Sequence, residues 1–255
     1  MRTIKVTYHL FIRYMKKTLR TPPMIFFALV QPLIWLLLFS QLFDRISVIP
    51  NFPAENYLSF FVPGVILMTA LFSGGQSGMA MVMDMNNGFL EKLLIAPINR
   101  ASILIGKVLA DALRMVIQSL IILGVAYLMG FRVTTGFSGV LLILLIVIVF
   151  GLGMAGLSVA TALLTKNSEA QMMMMIFINM PMMFLSTAMM PAEMLPSWME
   201  TAASFNPVSY GVTSIRSLTL TGYEWGTIFS SLGVLSAVAI VTLSITTFLF
   251  RRVSE

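Results

Sequence analysis

The chain has 255 residues, of which 58% are hydrophobic and 10% are charged, and it carries a formal net charge of +6. Soluble domains carry about 25% charged residues, so a chain this apolar cannot cover a water-facing surface and is expected to be an integral membrane protein. It has no cysteine and a single histidine, His9. Disulfides and thiolate metal sites are therefore excluded, and we predict neither a metal site nor histidine-based catalysis.

Residues 1–21 are predicted to form a basic amphipathic helix, with apolar side chains on one face and basic ones on the neighbouring face. The apolar set is Ile4, Tyr8, Ile12, Met15 and Leu19, and the other set is Lys5, His9, Arg13, Lys16 and Arg20. Such a helix beside an apolar span is typical of one that lies in the headgroup layer of the cytoplasmic leaflet. Nucleic-acid binding is the rival interpretation, and we do not expect it because anionic lipid and topology account for the positive charge.

Six apolar runs are predicted to span the bilayer, because about twenty apolar residues cross a hydrocarbon core. They are residues 24–43, 57–83, 108–130, 140–164, 170–190 and 225–250. Between the last two, residues 191–222 are broken by prolines and are predicted to form two short outer helices that re-enter the membrane or lie at its surface. The predicted fold is a single all-α membrane domain, residues 1–255, with six transmembrane helices after an interfacial helix.

The basic residues predict the orientation. Six spans place both termini on one side of the membrane, and thirteen basic residues lie on that side. The other side holds Arg45, Arg132 and Arg216. Since cytoplasmic segments are enriched in lysine and arginine, both termini are predicted to be cytoplasmic.

Residues 84–101 are predicted to be a cytoplasmic loop that contains a short amphipathic helix. Phe89, Leu90, Leu93 and Leu94 fall on one side of this helix, and Pro97 ends it because proline lacks the amide that a continuing helix needs. A small amphipathic helix beside a membrane bundle is typical of a docking surface for a soluble partner. An ordinary interfacial helix lying on lipid is the alternative.

Lys107, Asp111 and Arg114 recur on one stripe of the third predicted span. Placed at mid-membrane, such a stripe would be a proton or ion relay. We prefer a helix that protrudes into the cytoplasm and becomes membrane-embedded near Met115, because residues 115–130 still nearly span the bilayer.

The fifth predicted span is rich in methionine, including residues 172–175 and 182–183. Methionine fills irregular gaps and adapts to varied apolar surfaces. Packing between helices is our preferred explanation, and a pathway for bulky apolar substrates and thioether metal binding are the alternatives.

The loop sequence from Asn87 to Arg100, followed by Gly106-Lys107, resembles the cytoplasmic loop of ABC type-2 exporter permeases. Their pattern is roughly a glycine, a Leu-Glu pair, a leucine, a Pro-x-x-Arg and a Gly-Lys. Phe89 departs from it, since many relatives have a small or polar residue there. A second matching motif lies in the outer segment: Pro196, Trp198, Asn206, Pro207, Tyr210 and Arg216.

The resemblance implies that two copies form the membrane half of an exporter in the plasma (inner) membrane of a prokaryote. Each copy would dock a separate cytoplasmic ATPase, which would bind ATP and magnesium, so no cofactor is expected in this chain. The implied docking residues are Gly88, Phe89, Leu90, Glu91, Lys92, Leu93, Leu94, Pro97 and Arg100. The implied cargo is an amphipathic or apolar drug, lipid or glycan.

We find no Gly-rich phosphate loop in the sequence, so the chain is not expected to be an enzyme. The alternative function is a stand-alone secondary transporter or ion channel that uses Lys107, Asp111 and Arg114 within the bilayer. A membrane-bound enzyme is a third class, and it has the least support because the spans hold no acid, base or nucleophile cluster.

Overall fold

A computed structural model of the protein describes residues 2–20, 22–49, 52–95 and 98–253. Within these ranges the chain is helical, with ten α-helices and without strands. The helices are α1 (Arg2–Leu19), α2 (Pro22–Leu42), α3 (Tyr57–Asn86), α4 (Phe89–Ile95), α5 (Arg100–Leu128), α6 (Gly136–Thr165), α7 (Ser168–Phe184), α8 (Ser197–Phe205), α9 (Pro207–Arg216) and α10 (Trp225–Val253). Short 3₁₀ turns lie at Asp44–Val48 and Ala192–Met194, and a π-helical turn, Ser217–Thr221, follows α9.

Four helices in the described part of the chain are long and apolar enough to cross a membrane: Tyr57–Asn86, Ser102–Leu128, Gly136–Thr165 and Trp225–Phe250. The prediction of an all-α integral membrane protein is therefore confirmed. Two further helices lie where spans were predicted. These are α2, which has 21 residues, and α7, which has 17 residues.

Helix α3 lies at the centre of the bundle and packs against α2, α5, α6, α7 and α9. Small residues permit this packing. A side chain at Gly64 would collide with the backbone of Ala188, and one at Gly78 would collide with the backbone carbonyl of Ser158. The Gly78 amide also donates to the Ser158 hydroxyl at 2.9 Å, so α3 and α6 are joined by a polar contact as well as by close packing.

Helix α7 ends at Phe184 rather than at residue 190, where the fifth span was predicted to end. Pro181 lies in its last turn and lacks an amide hydrogen, and the Leu185 amide closes the helix by donating to the Pro181 carbonyl at 2.8 Å. A 17-residue helix is about 26 Å long, somewhat less than a hydrocarbon core of about 30 Å.

The bundle has two ends that differ in structure, and we name them after their short helices. At the α9 end, α9 is inserted against α3, α6 and α10 and buries Val208, Val212 and Ile215 completely. At the α4 end, α4 follows the last turn of α3, and α1 lies along α5. A separate apolar cluster, which we call the α4 cluster, fills this end: Leu10, Tyr14, Met81, Val82, Leu90, Ile103, Ala110, Val159, Ala162, Leu163 and Phe250.

Candidate functional site

Gly88 makes the turn between α3 and α4. Its φ of +65° lies in the left-handed region, which glycine adopts without the steric cost that a β-carbon adds. The turn is closed by the Gly88 amide, which donates to Met85 at 2.9 Å, and the Gly88 carbonyl accepts from Lys92 at 3.3 Å. The glycine at the start of the loop motif therefore has a definite conformational role.

The apolar face of α4 is covered by the protein itself. Leu90 is buried in the α4 cluster, and Phe89 and Leu93 pack against it. Residues of α1, α3, α5, α6 and α10 supply this cover. Docking through the loop residues named from the sequence stays a prediction, and in this structure Leu90 is not accessible to a partner.

The solvent-facing side of α4 carries Glu91, Lys92 and Ile95, of which Ile95 is 86% exposed. Of the other predicted docking residues, Pro97 lies outside the described residues, as do the side chains of Leu94 and Arg100.

Arg13 connects α4 to the rest of the bundle. Its guanidinium carbon lies 3.2 Å from the centre of the Phe89 ring, and its Nη2 pairs with Asp84 Oδ1 at 3.3 Å. Lys17 Nζ shares the same carboxylate oxygen at 3.1 Å. Helices α1, α3 and α4 therefore meet through one cation, one carboxylate and one ring, and the cation–π contact gives Phe89, the residue that departs from the family pattern, a structural role.

Sequence reasoning missed Arg13, Lys17 and Asp84 as a group. The signal was present, because an acidic residue at the end of a long apolar run requires a partner, and the basic face of α1 is the nearest source. Tyr14 lies beside this group, and burial together with the Asp84 carboxylate raises the pKa of the Tyr14 phenol well above its usual range.

The stripe of Lys107, Asp111 and Arg114 lies inside the bundle. Lys107 is 2% exposed and Asp111 is 6% exposed, so other helices of the chain cover the stripe. Our interpretation that this part of α5 protrudes into the cytoplasm concerns its depth in the membrane and stays a prediction. Lys107 Nζ lies 3.3 Å from Asp111 Oδ2, and Arg114 Nη2 lies 3.1 Å from Asp111 Oδ1.

The partners of this stripe come from α3. The Ser77 hydroxyl donates to Asp111, and Arg114 donates to the carbonyl of Ser73 at 2.8 Å. Helical spacing placed the three charges on one face, and α3 covers that face with two serines.

The motif residues at the α9 end separate into two groups. Asn206 and Arg216 bind the end of α7 and the segment that follows it. Asn206 Nδ2 donates to the carbonyl of Met182, in the last turn of α7, at 2.7 Å, and Arg216 Nη2 donates to the carbonyl of Thr187 at 2.9 Å. Asn206 also caps α9 by accepting from the Val208 amide at 2.9 Å.

The remaining motif residues play local roles. Pro207 is the first residue of α9, a position that suits its fixed φ. Pro196 precedes α8, Trp198 is exposed, and Tyr210 is half-buried. Among the described residues, the side-chain hydrogen bonds of Asn206 and Arg216 go to partners other than Pro196 and Trp198.

A cavity of about 420 Å³ opens between α2, α3 and α7. We call it the methionine cavity because Met79, Met172, Met175 and Met180 line it, together with the amide side chains of four residues. Those residues are Gln31, Gln76, Gln171 and Asn179. The methionines of α7 therefore line an open space as well as filling gaps between helices.

Comparison with known proteins finds one matching family model and several similar permeases. The family model described as ABC-2 type transporter matches residues 5–220. The chain is 31% identical over 204 residues to a putative transport permease ycf38 of Cyanophora paradoxa. The aligned region covers 78% of this chain and 69% of the relative. The chain is 27% identical over 189 residues to the daunorubicin resistance ABC transporter permease protein DrrB1 of Streptomyces coeruleorubidus, with 74% and 66% covered. It is also 24% identical over 199 residues to a probable doxorubicin resistance ABC transporter permease protein DrrC of Mycobacterium tuberculosis, with 76% and 70% covered.

Proposed function

The chain belongs to the ABC-2 type transporter family and is a membrane subunit of an ABC transporter, and from this premise we propose that it is the permease of an ATP-driven exporter. Family membership implies an ABC ATPase partner and a multi-pass location in the membrane, and permease subunits of this kind are not enzymes themselves. The proposal adds coupling to a separate ATPase, outward direction and an amphipathic or apolar cargo.

The observation that carries the proposal is the construction of α4. One face presents Glu91, Lys92 and Ile95 to solvent, and the other is tied to α1 and α3 through Phe89, Arg13 and the α4 cluster. A force applied to the solvent face therefore acts on two other helices through close contacts. This is the arrangement that a coupling element between an ATPase and a membrane bundle requires.

The test is Ile95→Asp in the chain co-expressed with its ATPase. Ile95 is 86% exposed, so the substitution leaves the bundle intact and places a carboxylate in the proposed interface. We expect normal expression together with loss of ATPase co-purification and of ATP-dependent transport. Val48→Asp is the control, because Val48 is 81% exposed and lies on the short turn after α2. A fully active Ile95→Asp transporter with bound ATPase would remove α4 as the docking surface.

The proposed topology has six spans, of which α7 is the shortest, with both termini and α4 in the cytoplasm and α8 and α9 as outer re-entrant helices. Positive charge supports it, because the basic residues of α1 and the loop lie on the side predicted to be cytoplasmic. Single cysteines can be added without a background, since the chain has none. A cysteine at Ser197 should react with an impermeant reagent from outside, and one at Asn99 should react after permeabilisation. Outside labelling at Asn99 would overturn this topology.

We also propose a homodimer with its pathway between the two copies, in the inner membrane of a prokaryote. Support comes from the exposed apolar faces of α2 and α7 beside the methionine cavity, where Leu38 is 59% exposed and Phe177 is 80% exposed. Cysteines at Leu38 and Phe177 should cross-link copies in native membranes. A monomer in native lipid that still transports would refute the dimer.

The buried stripe is the observation that favours the alternative, a stand-alone secondary transporter, since intramembrane charges commonly serve as ion relays. The two functions separate on one measurement. Under the relay, transport continues when the ATPase subunit is deleted and stops in Lys107→Ala. Under the exporter, deletion of the ATPase stops transport.

A further inference from the structure

A second, smaller cavity of about 150 Å³ lies between α1, α2, α3 and α5. We call it the charged cavity because its lining includes Lys17, Lys107, Asp111 and Arg114. Gln118 lines it as well, and Lys107, Asp111 and Gln118 are all more than nine-tenths buried. Its charged lining therefore comprises three cations and one carboxylate in a largely water-excluded place.

The carboxylate in this cavity is fully used. Asp111 accepts from Lys107 through Oδ2, from Arg114 through Oδ1 and from the Ser77 hydroxyl. The next carboxylate, Asp84, is shared between Arg13 and Lys17 in the same way. Among the described residues that line the cavity, Lys107 and Arg114 share the single carboxylate of Asp111, so these three side chains together carry one net positive charge.

The buried donors are not saturated. An ammonium group has three N–H donors, and among the described residues Lys107 donates to Asp111, with the Tyr14 ring centre 5.4 Å away as its other neighbour. Since buried polar groups require partners, the positive charge and the unsaturated N–H donors of Lys107 match a phosphate or carboxylate. Gln118 Oε1 is also buried without a hydrogen-bond partner within the described ranges, and as an acceptor it would be satisfied by a hydroxyl of the ligand rather than by the anion itself.

The charged cavity adjoins the methionine cavity. Both are lined by Ala28, Gln76 and Met79, so a molecule could extend from one into the other past these three side chains. The methionine cavity offers flexible apolar side chains that adapt to ligands of different shape. A charged site joined to an apolar one matches a ligand with an anionic head and an apolar body.

We propose that the cargo is an anionic amphiphile whose phosphate or carboxylate head binds Lys107 and Arg114 in the charged cavity and whose apolar body lies in the methionine cavity. The word cargo rests on the proposed export function, whereas the binding site does not. Lys17 lies at the α1 side of the charged cavity and supplies additional attraction for the head.

The test uses three photoreactive probes with the same diazirine-bearing dodecyl chain and different heads: phosphate, trimethylammonium and a neutral glycol. The full chain with its bound ATPase is placed in phosphatidylcholine nanodiscs, irradiated and examined by mass spectrometry. We expect the phosphate probe to label the protein about tenfold more than either other probe, the usual effect of one charge-assisted contact. The labelled residues should lie on α2, α3 and α7.

Three variants locate the selectivity. Lys107→Met removes the ammonium, keeps side-chain length and should reduce labelling by the phosphate probe about tenfold. Lys107→Arg keeps the charge and should retain most of it. Lys5→Met makes the same change at an exposed lysine of α1 and should have no effect, which separates the cavity from the general basic surface of α1. Circular dichroism on each variant confirms that the helices are intact.

Three results would overturn the proposal. The first is labelling that is equal for all heads or strongest for the cation. The second is phosphate selectivity that survives Lys107→Met in a folded protein. The third is that inorganic phosphate suppresses labelling by the phosphate probe at the same concentration as an unlabelled amphiphile does, which would mean that the site binds a free anion.

A different result would overturn only the cargo assignment. If phosphatidylglycerol suppresses labelling and the probe shows no ATP-dependent movement, the site holds a resident lipid. Failure of the ATPase to co-purify would instead count against the exporter proposal, and head selectivity would be unchanged by it.

Discussion

At the α4 end of the bundle, cations pair with carboxylate side chains, whereas at the α9 end a buried cation pairs with backbone carbonyls. Asp84 and Asp111 each bind two cations from side chains. Arg216 instead donates to the carbonyls of Phe60 and Thr187 at 3.3 and 2.9 Å, with its guanidinium 3.8 Å from the centre of the Phe60 ring. Cations at the two ends are therefore neutralised or hydrogen-bonded by different groups, carboxylates at the α4 end and backbone carbonyls at the α9 end.

The difference follows from how the helices end. At the α9 end, α7 stops at Phe184 and leaves carbonyls that no helix satisfies. Asn206 takes those of Met182 and Leu185, and Tyr57 takes that of Met189 at 2.9 Å. At the α4 end, helices α3 and α5 continue and side chains meet side chains. A shared carboxylate can exchange its partner cations when helices move. Hydrogen bonds from Asn206 and Arg216 to backbone carbonyls instead fix one arrangement of the helices. We therefore expect the α9 end to determine stability and the α4 end to determine coupling.

The largest effect should come from Asn206→Ala. The side chain makes three hydrogen bonds, to Met182, Leu185 and Val208. At about 1 kcal/mol for each bond, the expected loss in the free energy of unfolding is about 3 kcal/mol. Denaturation in mixed micelles measures it.

Asn56→Ala is the matched control at the same end of the bundle. Asn56 makes one capping bond, to the Ser59 amide at 2.8 Å, and its loss should cost about 1 kcal/mol. Equal losses in the free energy of unfolding for the two variants would show that the bonds of Asn206 to α7 do not stabilise the α9 end more than an ordinary helix cap does.

An intermediate effect is expected from Leu90→Asp. Leu90 is 4% exposed in the α4 cluster, and fully burying a leucine contributes about 2 kcal/mol. Because α4 is short and can detach to hydrate the new carboxylate, the loss of stability should be near that value rather than that of a trapped charge. Hydrogen exchange should accelerate in α4 and α1 and stay unchanged in α9. Protection lost throughout the bundle would mean that the two ends are not separable.

The sequence predicted the helices well and the partners of their faces poorly. Periodicity placed Phe89, Leu90 and Leu93 on one face of α4, and Lys107, Asp111 and Arg114 on one face of α5, and both predictions are confirmed. Periodicity does not say what covers a face, because that depends on contacts between segments far apart in the chain. The sequence left a soluble partner and lipid open for the apolar face of α4, and it named no partner on other helices for the charged stripe of α5. The structure covers both with other helices of the same chain.

The early end of α7 has a similar explanation. The methionine-rich run is apolar up to residue 190, so composition extended the span to that point. Pro181 was visible, but a proline in a membrane helix ends the helix only where the carbonyls it leaves can find other donors. Asn206, twenty-one residues beyond Leu185 and hydrogen-bonded to its carbonyl, supplies such donors, and only the tertiary structure shows this.

The smallest effect on stability, and the most specific test of the α4 end, should come from Asp84→Asn. The Asp84 side chain is 3% exposed, but its partners Arg13 and Lys17 are 33% and 41% exposed. Water already stabilises these cations, so the pairs contribute about 1 kcal/mol or less. Asparagine keeps the shape and one acceptor oxygen, and Arg13 keeps its contact with the Phe89 ring. Stability should therefore change little, while hydrogen exchange in α1 accelerates and ATP-dependent transport falls relative to ATPase activity.

Asp44→Asn is the control, since Asp44 is exposed on the turn after α2. If Asp84→Asn leaves α1 exchange and coupling unchanged, the shared carboxylate does not link α4 to the bundle, and the apolar contacts of Leu90 and Leu93 must carry that connection.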